Sequence, residues 1–285
     1  VRPQNRHEKD EETRMAKEGW DLPTGDLMKG KRGVVIGVAN HDSIAWGIAS
    51  QLAAQGAEMA LFHLPGMERR VQPLAESIGV KTVVPVDVTQ DEQMDAAFAA
   101  VEAAFGTIDF FVHAIAYAPR DQIKGSFVDN ATREGFLQAM DISAYSFVDC
   151  ARRAEKLMPN GGSIICLTYM GSERAIPNYN TMGVAKAALE AASRYVARDL
   201  GPKGIRVNAL SPGAMRTLSL AGISGGKGML AKGRDLSAMK EDTSMEGVAG
   251  AALWLLSDLG RSTTGELIHV DAGFHMMGFT EDEEA

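Results

Sequence analysis

Seven short apolar runs, rich in β-branched residues, recur along the chain from Lys31 onwards: Gly33–Val38, Ala57–Phe62, Lys81–Val86, Ile108–Ala114, Ser163–Thr168, Ile205–Leu210 and Glu266–Val270. They read as buried parallel strands, apolar on both faces. Helical spacing fills the intervals. Ile44–Gln55 and Asp91–Phe105 are the clearest cases, followed by the segment before Asn160, Tyr179–Leu200 and Met245–Asp258. Gly56, Gly79, Gly106 and Gly201 stand where helices should stop. Thr132 and Ser244 are the expected N-caps. Strand and helix in alternation predict an α/β fold: one doubly wound domain, a seven-stranded parallel sheet with helices on both faces and right-handed crossovers.

In a sheet of this kind a ligand binds beyond the carboxyl ends of the strands, near the switch in strand order. Six segments are therefore expected to converge: Gly37 to Ser43, His63-Leu64, Asp87-Val88, Ala114 to Ala118, Thr168-Tyr169 and Ser211 to Thr217.

Composition narrows the class. The chain has 285 residues, 45% hydrophobic and 23% charged, enough for one large core. Its formal charge of −8 argues against nucleic acid as a partner. No apolar run approaches the ~18 residues of a membrane span, and the charged N-terminus has no signal-peptide core. Cys150 and Cys166 form no CxxC pair, and Cys166 lies in an apolar run where a buried thiol is expected. Two scattered cysteines suit a reducing compartment, read here as the cytoplasm. The polar residues 1–14 read as an N-terminal extension, and residues 279–285 as a solvated acidic tail. His7, His41, His63, His113, His269 and His275 show no metal-ligand spacing, so no metal is expected.

The first strand runs into Gly37-Val-Ala-Asn-His-Asp-Ser-Ile-Ala-Trp-Gly47. This is not G-x-G-x-x-G, but the physics is the same: a glycine turn, close backbone approach and a helix N-terminus aimed at an anion. Ser43 is expected to cap that helix and to donate to a phosphate; an ordinary βα turn is the alternative. A near P-loop, Gly25-Asp-Leu-Met-Lys-Gly-Lys31, fails at Arg32 and precedes the strand instead of following it. Leu64 ends the second strand where NAD enzymes often carry an acid and NADP enzymes a base; it is neither, and the choice leans to NADH with NADPH left open. Arg69 and Arg70 read as a solvated helix face. Asp87 can accept from an adenine amino group while Val88 packs on the ring, or Asp87 can simply hold a turn.

Tyr169, Tyr179 and Lys186 carry the chemistry. If Tyr179 to Lys186 is helical, seven residues make about two turns and both side chains share one face. Lysine charge beside a phenol is expected to lower its pKa from ~10 and to strengthen it as a donor to a developing oxyanion. Each residue taken singly has a bland reading, as core tyrosine or solvated lysine.

Together with His113 to Pro119, Gly171-Ser-Glu-Arg-Ala-Ile-Pro-Asn-Tyr179, the Tyr-x6-Lys spacing, Ile205 to Gly213 and Thr264 to Asp271, these residues resemble the divergent short-chain dehydrogenase/reductases, specifically bacterial enoyl-acyl carrier protein reductases. The resemblance covers residues ~30 to 278 in order; ordinary members of the superfamily use Tyr-x3-Lys, and here Gly183 holds that lysine position. It implies a Rossmann-type domain over residues 28–278, with a substrate lid about 215–240, and NADH-dependent reduction of the trans-2 double bond of an acyl thioester held on acyl carrier protein. Tyr179 would bind the thioester oxygen, Lys186 the nicotinamide ribose, and Tyr169 would be a second active-site tyrosine. Gly37, Ser43, Ile44, Leu64, Asp87, Val88, Ile115, Met215, Arg216, Thr217, Leu218 and Ser219 match cofactor positions, and Ala118 a substrate-side position. A homotetramer is implied. The basic cluster expected for carrier docking is thinned: Ser224 and Gly228 hold two of its positions, leaving Lys227 with Lys232 and Arg234 nearby. Gly222, Gly225, Gly226 and Gly228 predict a mobile lid. A reductase of free enoyl-CoA or of a carbonyl substrate, and a non-catalytic cofactor-binding regulator, are the alternatives.

Overall fold

The computed structural model describes residues 20–223 and 225–278. The expected extension over 1–14 and the tail over 279–285 lie outside the described residues, as does Ser224. Seven strands form one sheet: β1 (Arg32–Ile36), β2 (Glu58–His63), β3 (Thr82–Pro85), β4 (Phe110–His113), β5 (Gly162–Leu167), β6 (Ile205–Pro212) and β7 (Leu267–Val270). Their spatial order is β3-β2-β1-β4-β5-β6-β7, and every neighbouring pair is parallel. All seven expected runs are strands. The order reverses between β1 and β4, which is where a ligand crevice opens in a sheet of this type.

The helices are α1 (Ile44–Ala54), α2 (Glu68–Ser77), α3 (Asp91–Phe105), α4 (Phe127–Asn130), α5 (Arg133–Met140), α6 (Ser146–Lys156), α7 (Thr181–Leu200), α8 (Leu218–Gly222), α9 (Gly226–Leu236) and α10 (Met245–Leu256). Successive strand residues point to opposite faces, so β1 sends Val34 and Ile36 to one core and Val35 to the other. The first core takes Phe98 and Val101 of α3, Phe147 and Ala151 of α6, and Leu189 of α7. The second takes Ile48 and Leu52 of α1, Val71 of α2, and Val248 and Ala252 of α10. Two buried layers explain why the strand runs are apolar throughout.

Local chemistry mostly followed expectation. The Thr132 hydroxyl accepts from Gly135 N and the Ser244 hydroxyl from Gly247 N, each capping its helix; such caps contribute about 1 kcal/mol apiece. Both cysteines are free and buried. Among the described residues no helix is long and apolar enough to cross a membrane.

α7 stops at Gly201 as expected, and after a short 3-10 turn Gly204 at φ 75° reverses the chain. Two expectations are corrected. Ser43 occupies the N-cap of α1 but makes no capping bond; its hydroxyl donates to Asn40 O at 2.6 Å instead and tightens the preceding loop. Finally, α7 begins at Thr181, so Tyr179 lies outside the helix that carries Lys186. Asn178 (φ 66°) and Asn180 (φ 44°) flank it in positive-φ conformations, which asparagine tolerates better than most residues. The two-turn face assumed from the sequence therefore does not exist.

Candidate active site

A cleft opens at the carboxyl ends of β1, β4, β5 and β6. Its floor is the switch point. Gly37, at φ 110°, follows β1 so closely against β4 that a Cβ there would stand 2.3 Å from Ala114 O. Only glycine fits. The loop then leads into α1, whose N-terminus creates positive potential at that end of the cleft. Ile44, Ile115 and Met215 supply apolar wall.

Four of the six segments expected to converge do so: Gly37, Ser43 and Ile44; Ala114 to Ala116; Thr168 and Tyr169; and Pro212 to Met215 with Thr217 and Leu218 all line the cleft. The ends of β2 and β3 lie beside the cleft but outside its lining: Phe62 O accepts from Gly37 N, and His63 O from Val86 N. Leu64 is 56% exposed, and Leu64, Asp87 and Val88 all stand outside the cleft lining. Asp87 Oδ1 accepts from Thr89 N and Thr89 Oγ1 at 3.0 and 2.8 Å, so its turn-holding role is realised. Arg216 lines a neighbouring groove with Asp42, Arg234 and Asp242. Ala118 is buried in a satellite cluster with Tyr179 and Met182, behind the cleft wall.

Tyr169, Tyr179 and Lys186 are brought together in the cleft. The two tyrosine rings meet edge to face with centroids 5.0 Å apart. Tyr179 sits in a slot that two glycines create: a Cβ on Gly171 would be 2.3 Å from the Tyr179 ring, and one on Gly183 2.6 Å from Gly171 O. Gly183 holds the lysine position of the ordinary superfamily spacing, and no side chain fits there. Lys186, one turn further on, supplies the cation instead. The Tyr179 turn is pinned from outside by Asn178 Oδ1, which accepts from Gly125 N at 2.7 Å, and by the Asn180 amide on Lys124 O at 3.2 Å.

Lys186 is buried, and its ammonium donates to Leu167 O at 2.6 Å. Burial lowers its pKa to about 8, opposed by Cys166 and Glu190. The Tyr179 phenol moves opposite to the expected direction. Burial, then Tyr169 and Glu190, hold it well above the ordinary value. Tyr169 is pushed up to about 12 by burial and by Asp271. Both phenols therefore stay protonated near neutral pH, which makes them hydrogen-bond donors rather than bases.

Two groups of this centre escaped the sequence. Glu190, one turn beyond Lys186, reads in sequence as a solvated helix glutamate but is buried, and its Oε1 accepts from Thr168 Oγ1 and Ser172 Oγ, both at 2.5 Å. His113 is fully buried at the end of β4. Ser146 Oγ donates to Ile142 O, so it accepts from His113 Nε2 at 2.8 Å; Nδ1 is then left without a partner. Burial first, and the Lys186 charge second, lower that imidazole to about 3, so it is neutral. Only its place within His113 to Pro119 marked it in the sequence. Among the described residues no group of His, Cys, Asp or Glu is arranged to hold a metal ion.

A family model described as enoyl-(acyl carrier protein) reductase matches residues 37–275. The chain belongs to the enoyl-(acyl carrier protein) reductase family. It is 49% identical over 253 residues to enoyl-[acyl-carrier-protein] reductase [NADH] 1 of Rhizobium meliloti, covering 88% of this chain and 93% of that one. The corresponding NADH enzyme of Bacillus cereus is 48% identical over 257 residues, 89% of this chain and all of that one. Among solved structures, the reductase of Anaplasma phagocytophilum in complex with NAD superposes with a TM-score of 0.88 at 50% identity, covering 92% of this chain and 100% of that one. The Bacillus cereus reductase with NADP+ and an indole naphthyridinone gives 0.86 at 47% identity, over 89% and 100%. In this chain the Tyr-x6-Lys spacing, the glycine slot and the buried ammonium form one arrangement.

Proposed function

We propose that this chain reduces the trans-2 double bond of enoyl thioesters on acyl carrier protein, with NADH as hydride donor, the final step of a fatty-acid elongation round. The carrying observation is the buried Lys186 ammonium, bonded to Leu167 O in a cleft shared with two protonated tyrosines. The residues fit a dinucleotide. The Gly37 turn and the α1 N-terminus suit a pyrophosphate, Ile44 and Ile115 suit flat apolar rings, and Lys186 suits ribose hydroxyls. Uncharged, exposed Leu64 offers no cation to a 2′-phosphate, which favours NADH.

When bound, NADH supplies a hydride to the β-carbon. The electron pair of the double bond then shifts onto the thioester oxygen. Tyr179, kept protonated by burial, donates to that oxygen as its charge develops. Tyr169, edge-on to the Tyr179 ring, stands as a second donor or as packing for the substrate. Lys186 orients the ribose and adds positive potential to the same region. A proton delivered to the α-carbon completes the saturated thioester.

Residues 215–240 are read as the substrate lid. In the structure they contain α8 and α9, and Leu218, Leu220, Ile223 and Met229 face the cleft. Carrier docking falls to Lys232, Arg234 and Lys227. Arg234 already pairs with Asp235 at 3.0 Å, which reduces the positive charge it offers to an acidic partner. Homotetramer assembly and a cytoplasmic location complete the reading; sedimentation of the purified protein measures the first. Turnover on crotonyl-CoA against the carrier-linked enoyl tests the substrate assignment, and a preference for the CoA ester would overturn carrier dependence.

A further inference from the structure

Residues 167 to 172 are sewn to α7 by two charged side chains one helical turn apart. Lys186 donates to Leu167 O at 2.6 Å. Glu190 Oε1 accepts from the Thr168 and Ser172 hydroxyls. Those hydroxyls bracket Tyr169, one residue before it and three after. The Thr168 hydroxyl donates to this carboxylate, while the single proton of the Ser172 hydroxyl is shared between the carboxylate and Tyr169 O at 3.0 Å.

The charges around Lys186 isolate the same residue. The charges that act on its ammonium come from Cys166 on β5, His113 on β4 and Glu190 one helical turn along, the last outside ion-pair contact. Burial raises the Cys166 thiol to about 12 and lowers the His113 imidazole to about 3, so both are neutral at pH 7. The Tyr179 phenol is neutral as well. Glu190 is the group of this set left to balance a buried cation.

We propose that Glu190 is a positioning residue with two separable effects: its hydrogen bonds fix the Tyr169 segment against α7, and its charge keeps Lys186 an ammonium in the pH range where the cofactor binds. It touches neither substrate nor cofactor. The proposal rests on the assignment of Lys186 to cofactor binding made above.

The test is an NADH fluorescence titration from pH 6 to 9, beside steady-state turnover, on the full-length protein. Glu190→Gln keeps the shape and removes the charge. It should weaken NADH binding about 10-fold at pH 8 and less than about two-fold at pH 6, because the ammonium loses its proton at a lower pH. Glu190→Asp keeps the charge and shortens the reach, and Thr168→Val removes one hydroxyl. Both should retain the parent pH profile for NADH while losing several-fold in kcat. A Glu190→Gln profile parallel to the parent overturns the electrostatic effect. If Glu190→Gln does not fold, the other two variants decide: parent-like kcat in both, or a shifted NADH profile in both, overturns the proposal. Unchanged NADH affinity in Lys186→Ala would instead overturn the Lys186 assignment, so the two failures are distinguishable.

Discussion

Tyr169 and Tyr179 meet edge to face across the cleft, centroids 5.0 Å apart and planes at 65°, with each phenol held in its protonated form by burial. On the proposed mechanism Tyr179 donates to the developing oxyanion and Tyr169 stands beside it as a second donor. Tyr179→Phe should therefore lower kcat by about 10- to 100-fold, at or below the ~10²–10³ that removal of one oxyanion-hole donor costs. NADH affinity should stay as it was. A stopped-flow titration beside steady-state kinetics separates the two quantities, and loss of NADH binding would reassign Tyr179 to the cofactor.

Lys186→Ala removes the buried ammonium and its bond to Leu167 O. Hydrogen bonds from a charged donor contribute about 1.5–3 kcal/mol, so NADH should bind about 10- to 100-fold more weakly. Fluorescence titration reads this directly.

The glycine slot gives a steric prediction. Gly183→Ala places a methyl 2.6 Å from Gly171 O, a backbone atom that cannot swing aside. The Tyr179 turn must shift. Overpacking of this kind costs about 1–3 kcal/mol, and kcat should fall with it. Gly250→Ala is the control: among the described residues no atom lies within 4 Å of a Cβ there. Thermal denaturation and turnover of both variants make the comparison; equal effects would remove the slot from the explanation.

His113 predicts an acid sensitivity. Its folded pKa, about 3, lies below the ordinary 6.5. The unfolded chain thus binds the extra proton first, and the stability tied to the neutral imidazole is present above pH 6.5 and declines as pH falls towards 3. The slope is about 1.4 kcal/mol per pH unit inside that window. His113→Asn keeps a donor and cannot be protonated there. Urea denaturation at pH 7 and pH 5 should show the parent losing more stability than the variant; parallel losses would place the sensitivity elsewhere.

Much of this was legible in the sequence because the sheet is buried on both faces. Apolar β-branched runs marked all seven strands, and the segments after β1, β4, β5 and β6 converge as the parallel-sheet rule requires. The start of α7 was not legible. Apolar periodicity runs back to Tyr179, but the positive φ values of Asn178 and Asn180 are set by bonds to Lys124 and Gly125, over fifty residues earlier. Ser43 looked like a cap because its residue type and position were right; its hydroxyl went to Asn40 O within the loop. The tyrosine pKa was misjudged in sign because proximity to a lysine is visible in sequence and burial is not. Glu190 was missed for the same reason: a lysine and a glutamate four apart on a helix look like a surface pair, whereas here each is buried and bonds to the 167–172 segment instead of to the other.

Loss of NADH absorbance on adding a trans-2-enoyl thioester on acyl carrier protein, run beside NADPH, bears most directly on enoyl reduction at this site. Saturable NADH oxidation, formation of the saturated thioester and slower use of NADPH are expected. NADH that binds but is never oxidised in the presence of the enoyl thioester would contradict it and leave a cofactor-binding protein without this chemistry.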